Sequence, residues 1–169
     1  MATIPSLLKE MAREAETTRK MLSRIPTDKL DWRPHPKSMD MRNLAIHIAE
    51  LPSWTKMAIE TDELDFAAMQ YAPPAVSNAG DLVAIHEKAL QEGISSLEQA
   101  DESTFGQPWT LRTGDQVHAV SPKEEVIRMS YNQIVHHRAQ LGVYLRLLEV
   151  PIPGSYGPSA DEPAMSNIM

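Results

Sequence analysis

Two histidines in this sequence occupy positions that call for an explanation. His47 lies among Leu44, Ile48 and Leu51, on the apolar face of an expected helix, where a hydrocarbon side chain would be cheaper to bury. His137 has the same kind of position near the end of the chain, between Ile134 and Leu141, with Gln133 four residues before it. Residues four apart on a helix have Cβ atoms about 5–6 Å apart, so Gln133 and His137 can converge on one small object. Neutral imidazole is the commonest protein metal ligand. Two histidines on facing helices and the Gln133 carbonyl oxygen would supply three donors and leave positions open, the pattern of a catalytic metal site. The same placement has a second reading, a polar core in which each histidine is buried and satisfied by a neutral hydrogen-bond partner.

The other candidates carry less. His136 points roughly 100° away from His137 around a helix and is expected to face solvent. His86 falls on the inner stripe of an expected third helix and reads as a packed core residue. His35 and His118 lie in loops. Arg138 is expected to pair with an acidic group or a carbonyl, and Gln140 to reach either the site or a neighbouring helix. Met11, Met21, Met57 and Met129 read as core packing. There is no cysteine, which removes disulfides, thiolate metal sites and a cysteine nucleophile together. Gly-rich phosphate loops, a Gly-x-Ser-x-Gly elbow and a His-Glu-x-x-His pair are all missing from the sequence. So are the Glu-x-x-His pairs that di-iron bundles need.

These residues need a scaffold, and composition points to helices. The chain has 169 residues, enough for one domain with a real core, with 42% hydrophobic and 23% charged residues. Aromatics are only 5%, while there are 10 Met. The formal net charge of −7 disfavours nucleic-acid binding, which calls for a basic face. Charges interrupt the apolar positions of the N-terminus, so no signal peptide is read, and no window approaches 18 uninterrupted apolar residues. A soluble protein of a reducing cytosol, with no membrane partner, is expected.

Apolar spacing predicts a first helix from about Pro5 to Arg24, ended by Pro26. A Pro-broken loop follows over 31–38. A second helix starts near Asp40 and is interrupted or bent at Pro52, with Trp54, Met57 and Ala58 continuing its face. Residues 71–75 form a linker, and Asp81 reads as the N-cap of a third helix. Between Phe105 and Val120 the period changes to that of a small hairpin, Trp109–Arg112 and Gln116–Val120. Ser121, Pro122 and Glu124 read as a near capping box for a long last helix, about Pro122 to Glu149. Its inward stripe includes Val126, Ser130, Gln133, Ile134, His137, Leu141, Tyr144, Leu145 and Leu148.

The run from Tyr131 to Leu148, with its block His137-Arg138-Ala139-Gln140-Leu141, resembles the last helix of the DinB/YfiT-like superfamily. The continuation from Val150 to Glu162 is similar to the tail of one branch of it. Asp31-Trp32-Arg33-Pro34-His35-Pro36-Lys37-Ser38-Met39, followed by Leu44-Ala45-Ile46-His47-Ile48-Ala49, resembles its approach to the second helix. The resemblance spans nearly the whole chain. It implies an all-α fold, an up-down-down-up four-helix bundle over residues 1–150, followed by a Pro/Gly-rich tail over 151–169. It also implies a divalent metal (Zn²⁺, Ni²⁺ or Mn²⁺) held by three histidines, one from the second helix and two from the last. Carried onto this sequence, those positions are His47, Gln133 and His137. Glutamine therefore stands where the pattern has histidine, and an amide oxygen is a harder, weaker donor than imidazole. Relatives include transferases and isomerases that use thiols such as bacillithiol or mycothiol. The resemblance thus implies a homodimeric, metal-dependent S-transferase or hydrolase with a small-molecule substrate and a low-molecular-weight thiol. The alternative is a non-catalytic, stress-related binding or dimerisation module with the same residues as a polar core.

Overall fold

The structure is a computed structural model and describes residues 3–162. The part of the expected tail beyond residue 162 lies outside the described residues. Helix α1, Ile4–Leu22, begins with a reciprocal box: the Thr3 side chain accepts from the Ser6 amide and the Ser6 hydroxyl accepts from the Thr3 amide. Its buried face, Leu7, Met11, Glu14, Ala15, Thr18, Met21 and Leu22, follows the three- and four-residue rhythm of the sequence. Helix α2, Met41–Glu50, is capped by Asp40, which accepts from the Asn43 amide at 2.8 Å. Leu51 and Pro52 keep right-handed helical dihedrals, so α3, Ser53–Glu60, resumes after a break that Pro52 imposes by lacking an amide hydrogen.

Strand β1, Glu63–Asp65, precedes helix α4, Ala79–Gln99. The N-cap of α4 is Asn78 and not the expected Asp81. Asp81 is the third helical residue and reaches back to the Asn78 amide, so the two side chains form one reciprocal cap. Strands β2, Pro108–Thr113, and β3, Gln116–Pro122, form the expected hairpin, turned at Gly114 with a positive φ of 55°. Helix α5, Lys123–Leu147, is the last helix among the described residues and leads into the tail. The expected cap at Ser121 is not used: Pro122 is the N-cap, without a side-chain hydrogen bond. The first free amides, of Lys123 and Glu124, instead donate to the carbonyls of Gln107 and Phe105.

The all-α expectation is corrected in one respect. Among the described residues there is, besides five α-helices, a three-stranded sheet, ordered β1-β2-β3, in which β1 pairs parallel to β2 across the intervening α4. The ion pairs of Arg112 with Glu63 and Asp65 hold that pairing, and Asp65 also accepts from the Gly114 amide at 2.9 Å. Helices α4 and α5 each pack against α1, α2 and α3.

The core is divided. One apolar cluster gathers Leu22, Leu44, Ile48, Leu82, Leu141 and Leu145. A second gathers Leu7, Met11, Phe105, Trp109, Ile127 and Tyr131. Along α1, α4 and α5 the buried polar residues gather between these clusters: Glu14 and Thr18, His86, and His137 with Arg138. The bundle therefore carries a polar layer at mid-height. Among the described residues, no helix is long and apolar enough to cross a membrane.

Candidate functional site

Helices α2 and α5 bring His47 and His137 together in that layer. Their rings meet edge to face, with centroids 4.7 Å apart. His137 is buried and His47 half-buried. The amide oxygen of Gln140 lies 2.8 Å from His137 Nδ1. An amide oxygen only accepts, so Nδ1 carries the proton, and in the neutral ring Nε2 holds the lone pair. Burial, and then the neighbouring His137, hold the His47 imidazole below its ordinary value and so neutral at pH 7, the form that ligates. Of the two places expected for Gln140, the site or a neighbouring helix, it takes the site.

Gln133 lies one turn before His137 and is half-buried. With Met129, Asn132 and His136 it lines a concavity of about 300 Å³. His136 is exposed, as its helical phase requires, yet its ring lies 4.8 Å from that of His137, edge to face. The imidazoles of His47, His137 and His136 thus form a row. Among the described residues, no group of three His, Cys, Asp or Glu side chains is placed to hold one ion. Of the three expected donors, the structure brings the His47 and His137 rings into contact and leaves Gln133 one turn before His137 on the same helix.

Two neighbours escaped sequence reasoning as site residues. The Trp54 ring lies 6.2 Å from His47, brought there because the chain keeps helical dihedrals through Pro52. Glu14, in the buried stripe of α1, ion-pairs with Arg138 at 2.6 Å, and both side chains are almost wholly out of solvent, 5% and 3% exposed. Arg138 also donates to the Glu14 carbonyl and to Thr18 Oγ1, each at 3.1 Å. Tyr156, from the tail, donates to Glu14 Oε2 at 2.8 Å. The tail is tied down in turn by Asp161, which meets Arg146 and the Ile152 amide. The expected pairing of Arg138 with an acid and a carbonyl is therefore realised. Met129 departs from the core role expected of it: it is 36% exposed, on the wall of the concavity.

His86 is the packed core residue expected, 1% exposed, and neither ring nitrogen makes a well-formed hydrogen bond among the described residues. Burial drives its pKa down from 6.5, and the Glu87 carboxylate offsets only part of that. The stability it contributes is whole above pH 6.5 and falls as the pH drops from there through the folded-state value, because only the unfolded chain then takes up the proton. Each pH unit of lowering is worth about 1.4 kcal/mol. His86→Leu should flatten the decline between pH 7 and 5, read as urea-unfolding free energies. Parallel profiles for the two proteins would show that His86 titrates normally.

The profile of the DinB family matches residues 1–167. The chain belongs to the DinB family. No curated protein matches this DinB protein in sequence. Among solved structures it is similar to a DinB-like protein from Bacillus cereus ATCC 10987, at TM-score 0.70 and 19% identity over 91% of this chain and 98% of that one. It is also similar to a DinB family member from Exiguobacterium sibiricum 255-15, at TM-score 0.66 and 24% identity over 86% and 91%. A mycothiol-dependent maleylpyruvate isomerase shares the fold at TM-score 0.58 and 14% identity, over 84% of this chain and 64% of the isomerase.

Proposed function

We propose that this DinB protein is a divalent-metal-dependent enzyme acting on a small molecule, as an S-transferase with a low-molecular-weight thiol or as a hydrolase. The observation that carries the reading is the approach of the His47 and His137 rings to 4.7 Å, with the Nδ1 proton of His137 held by Gln140. A hydrogen bond of that kind orients a ligating imidazole and fixes its tautomer. His47, His137 and the Gln133 amide oxygen would hold Zn²⁺, Ni²⁺ or Mn²⁺. When bound, the ion would polarise an electrophilic substrate and lower the pKa of a thiol.

The protein's own groups do the rest. Burial keeps His47 unprotonated, Trp54 packs edge to face against it, and the Glu14–Arg138 pair fixes α5 against α1. The chain has no cysteine, so a reacting thiol would come from outside it, in this reading from a small molecule. The shared fold of a mycothiol-dependent isomerase supports that choice. We further propose a cytoplasmic homodimer. The second reading, a non-catalytic polar core, draws on the lack of a third His, Cys, Asp or Glu beside the pair among the described residues.

Titration of the metal-free protein with Zn²⁺, Ni²⁺ and Mn²⁺ tests the proposal. At least one ion should raise the melting temperature saturably and change indole emission, because Trp54 adjoins His47. A protein that gains no stability from any of the three leaves the polar-core module as the function.

A further inference from the structure

The concavity at Gln133 and His136 has a neighbour on the side of the hairpin. A second cavity, of about 210 Å³, lies between the hairpin and the first turns of α5, lined chiefly by Trp109, Leu111, Ala119, Val126 and Met129. Met129 lines both this cavity and the one that holds Gln133 and His136, so the two adjoin at that side chain. The cavity has a cause in the strand register. Trp109 pairs with Ser121 and Leu111 with Ala119, so two large side chains of β2 stand opposite two small ones of β3. Trp109 is buried, and its indole donates to Thr61 Oγ1 at 3.1 Å, which keeps that wall in place.

We propose that the two adjoining cavities act as one trough that binds the substrate, the hairpin end taking a compact hydrocarbon group and the histidine end the polar, reacting part. The assignment of the reacting end rests on the reading of His47 and His137 given above: Gln133 and His136 line that end, and the His137 ring lies next to that of His136, 4.8 Å away. An apolar cavity of about 150 Å³ accommodates benzene, so the hairpin end has room for a phenyl ring with a short substituent. Glu125 lines that end, and no Lys or Arg lines either cavity. An anionic group is therefore repelled there. The ligand class is a neutral or cationic aryl or branched alkyl compound.

The test uses the metal-free full chain, with benzyl alcohol, benzylamine and benzoate as probes and NMR as the readout. Benzyl alcohol and benzylamine should shift the Trp109 indole and Met129 methyl resonances saturably, with benzoate at least tenfold weaker. Ala119→Phe, at an exposed position of a strand that tolerates aromatics, should fill the cavity and abolish those shifts while leaving the metal titration unchanged. Glu125→Gln, on the exposed side of α5, should bring benzoate level with benzyl alcohol. Probe binding without metal binding removes the histidine reading and keeps the hydrocarbon site. Metal binding with unmoved Trp109 and Met129 resonances overturns the trough and keeps the metal. Ala119→Phe that binds benzyl alcohol like the wild type overturns it as well. So does unmoved Trp109 together with an Ala119→Phe light-scattering mass that differs from the wild type, since the groove then seats a second copy of the chain.

Discussion

Arg138→Met should destabilise the protein by about 3–5 kcal/mol, the cost of leaving one member of a buried ion pair without its partner. The guanidinium satisfies three oxygens of α1: the Glu14 carboxylate, the Glu14 carbonyl and Thr18 Oγ1. Methionine fills part of the space but donates nothing. Glu14 then keeps only the Tyr156 hydroxyl and the more distant, exposed Arg13 guanidinium, 3.6 Å away. The double variant Glu14→Leu, Arg138→Met removes both charges and should recover much of the loss, since an apolar pair of similar volume is often as stable as a buried ion pair. Urea unfolding of the two singles and the double gives the coupling energy. A single variant within about 1 kcal/mol of wild type would mean that water reaches Glu14 and stands in for the arginine.

His47→Ala and His137→Ala should each remove the metal-dependent part of stability while leaving the metal-free protein folded. At a free-ion concentration one hundred times the dissociation constant, one site contributes about 2.7 kcal/mol, and that increment is what the variants forfeit. His136→Ala should retain it, because its exposed ring sits outside the proposed donor set. Gln133→His supplies the complementary arm. A third imidazole suits Zn²⁺ or Ni²⁺ better than an amide oxygen, so the Zn²⁺ midpoint should fall tenfold or more, about 1.4 kcal/mol. In a polar core the same change should bring no Zn²⁺-dependent gain in stability. Melting temperatures across a Zn²⁺ series separate the two. An unimproved Gln133→His, or two histidine variants that keep the full increment, places the ligands elsewhere or removes them.

Much of this architecture could be read from periodicity. The apolar stripes of α1 and α5, the interruption at Pro52 and the hairpin all follow from local spacing. So does the inward phase of His47 and His137. What escaped depends on pairing at a distance. Glu63-Leu64-Asp65 has no strand pattern of its own; it is extended because Thr110, Leu111 and Arg112 lie beside it. Asn78 and Asp81 are both capping residues, and only the path of the chain decides which one starts the helix. Ser121 lost its capping role because the 105–107 turn already offers two carbonyls. Glu14 was legible in principle, since it shares the stripe of Met11 and Thr18. Stripes are usually read for hydrocarbon alone, and a carboxylate there is easily passed over.

The parallel pairing of β1 with β2 bears on how the chain reaches this form. Between the paired strands runs a single loop that contains all of α4, so the sheet fastens a stretch of chain around a finished helix. The hairpin can form alone from near neighbours in sequence, whereas β1 can dock only once α4 has returned the chain to its side. Closing such a loop is cheap to lengthen, about 0.6 kcal/mol per doubling. Only three residues of β1 pair across that loop, so β1 is expected to dock after the hairpin and to release before the helices open. Its release would free one edge of β2, the strand that carries Trp109 and Leu111, without opening the helices.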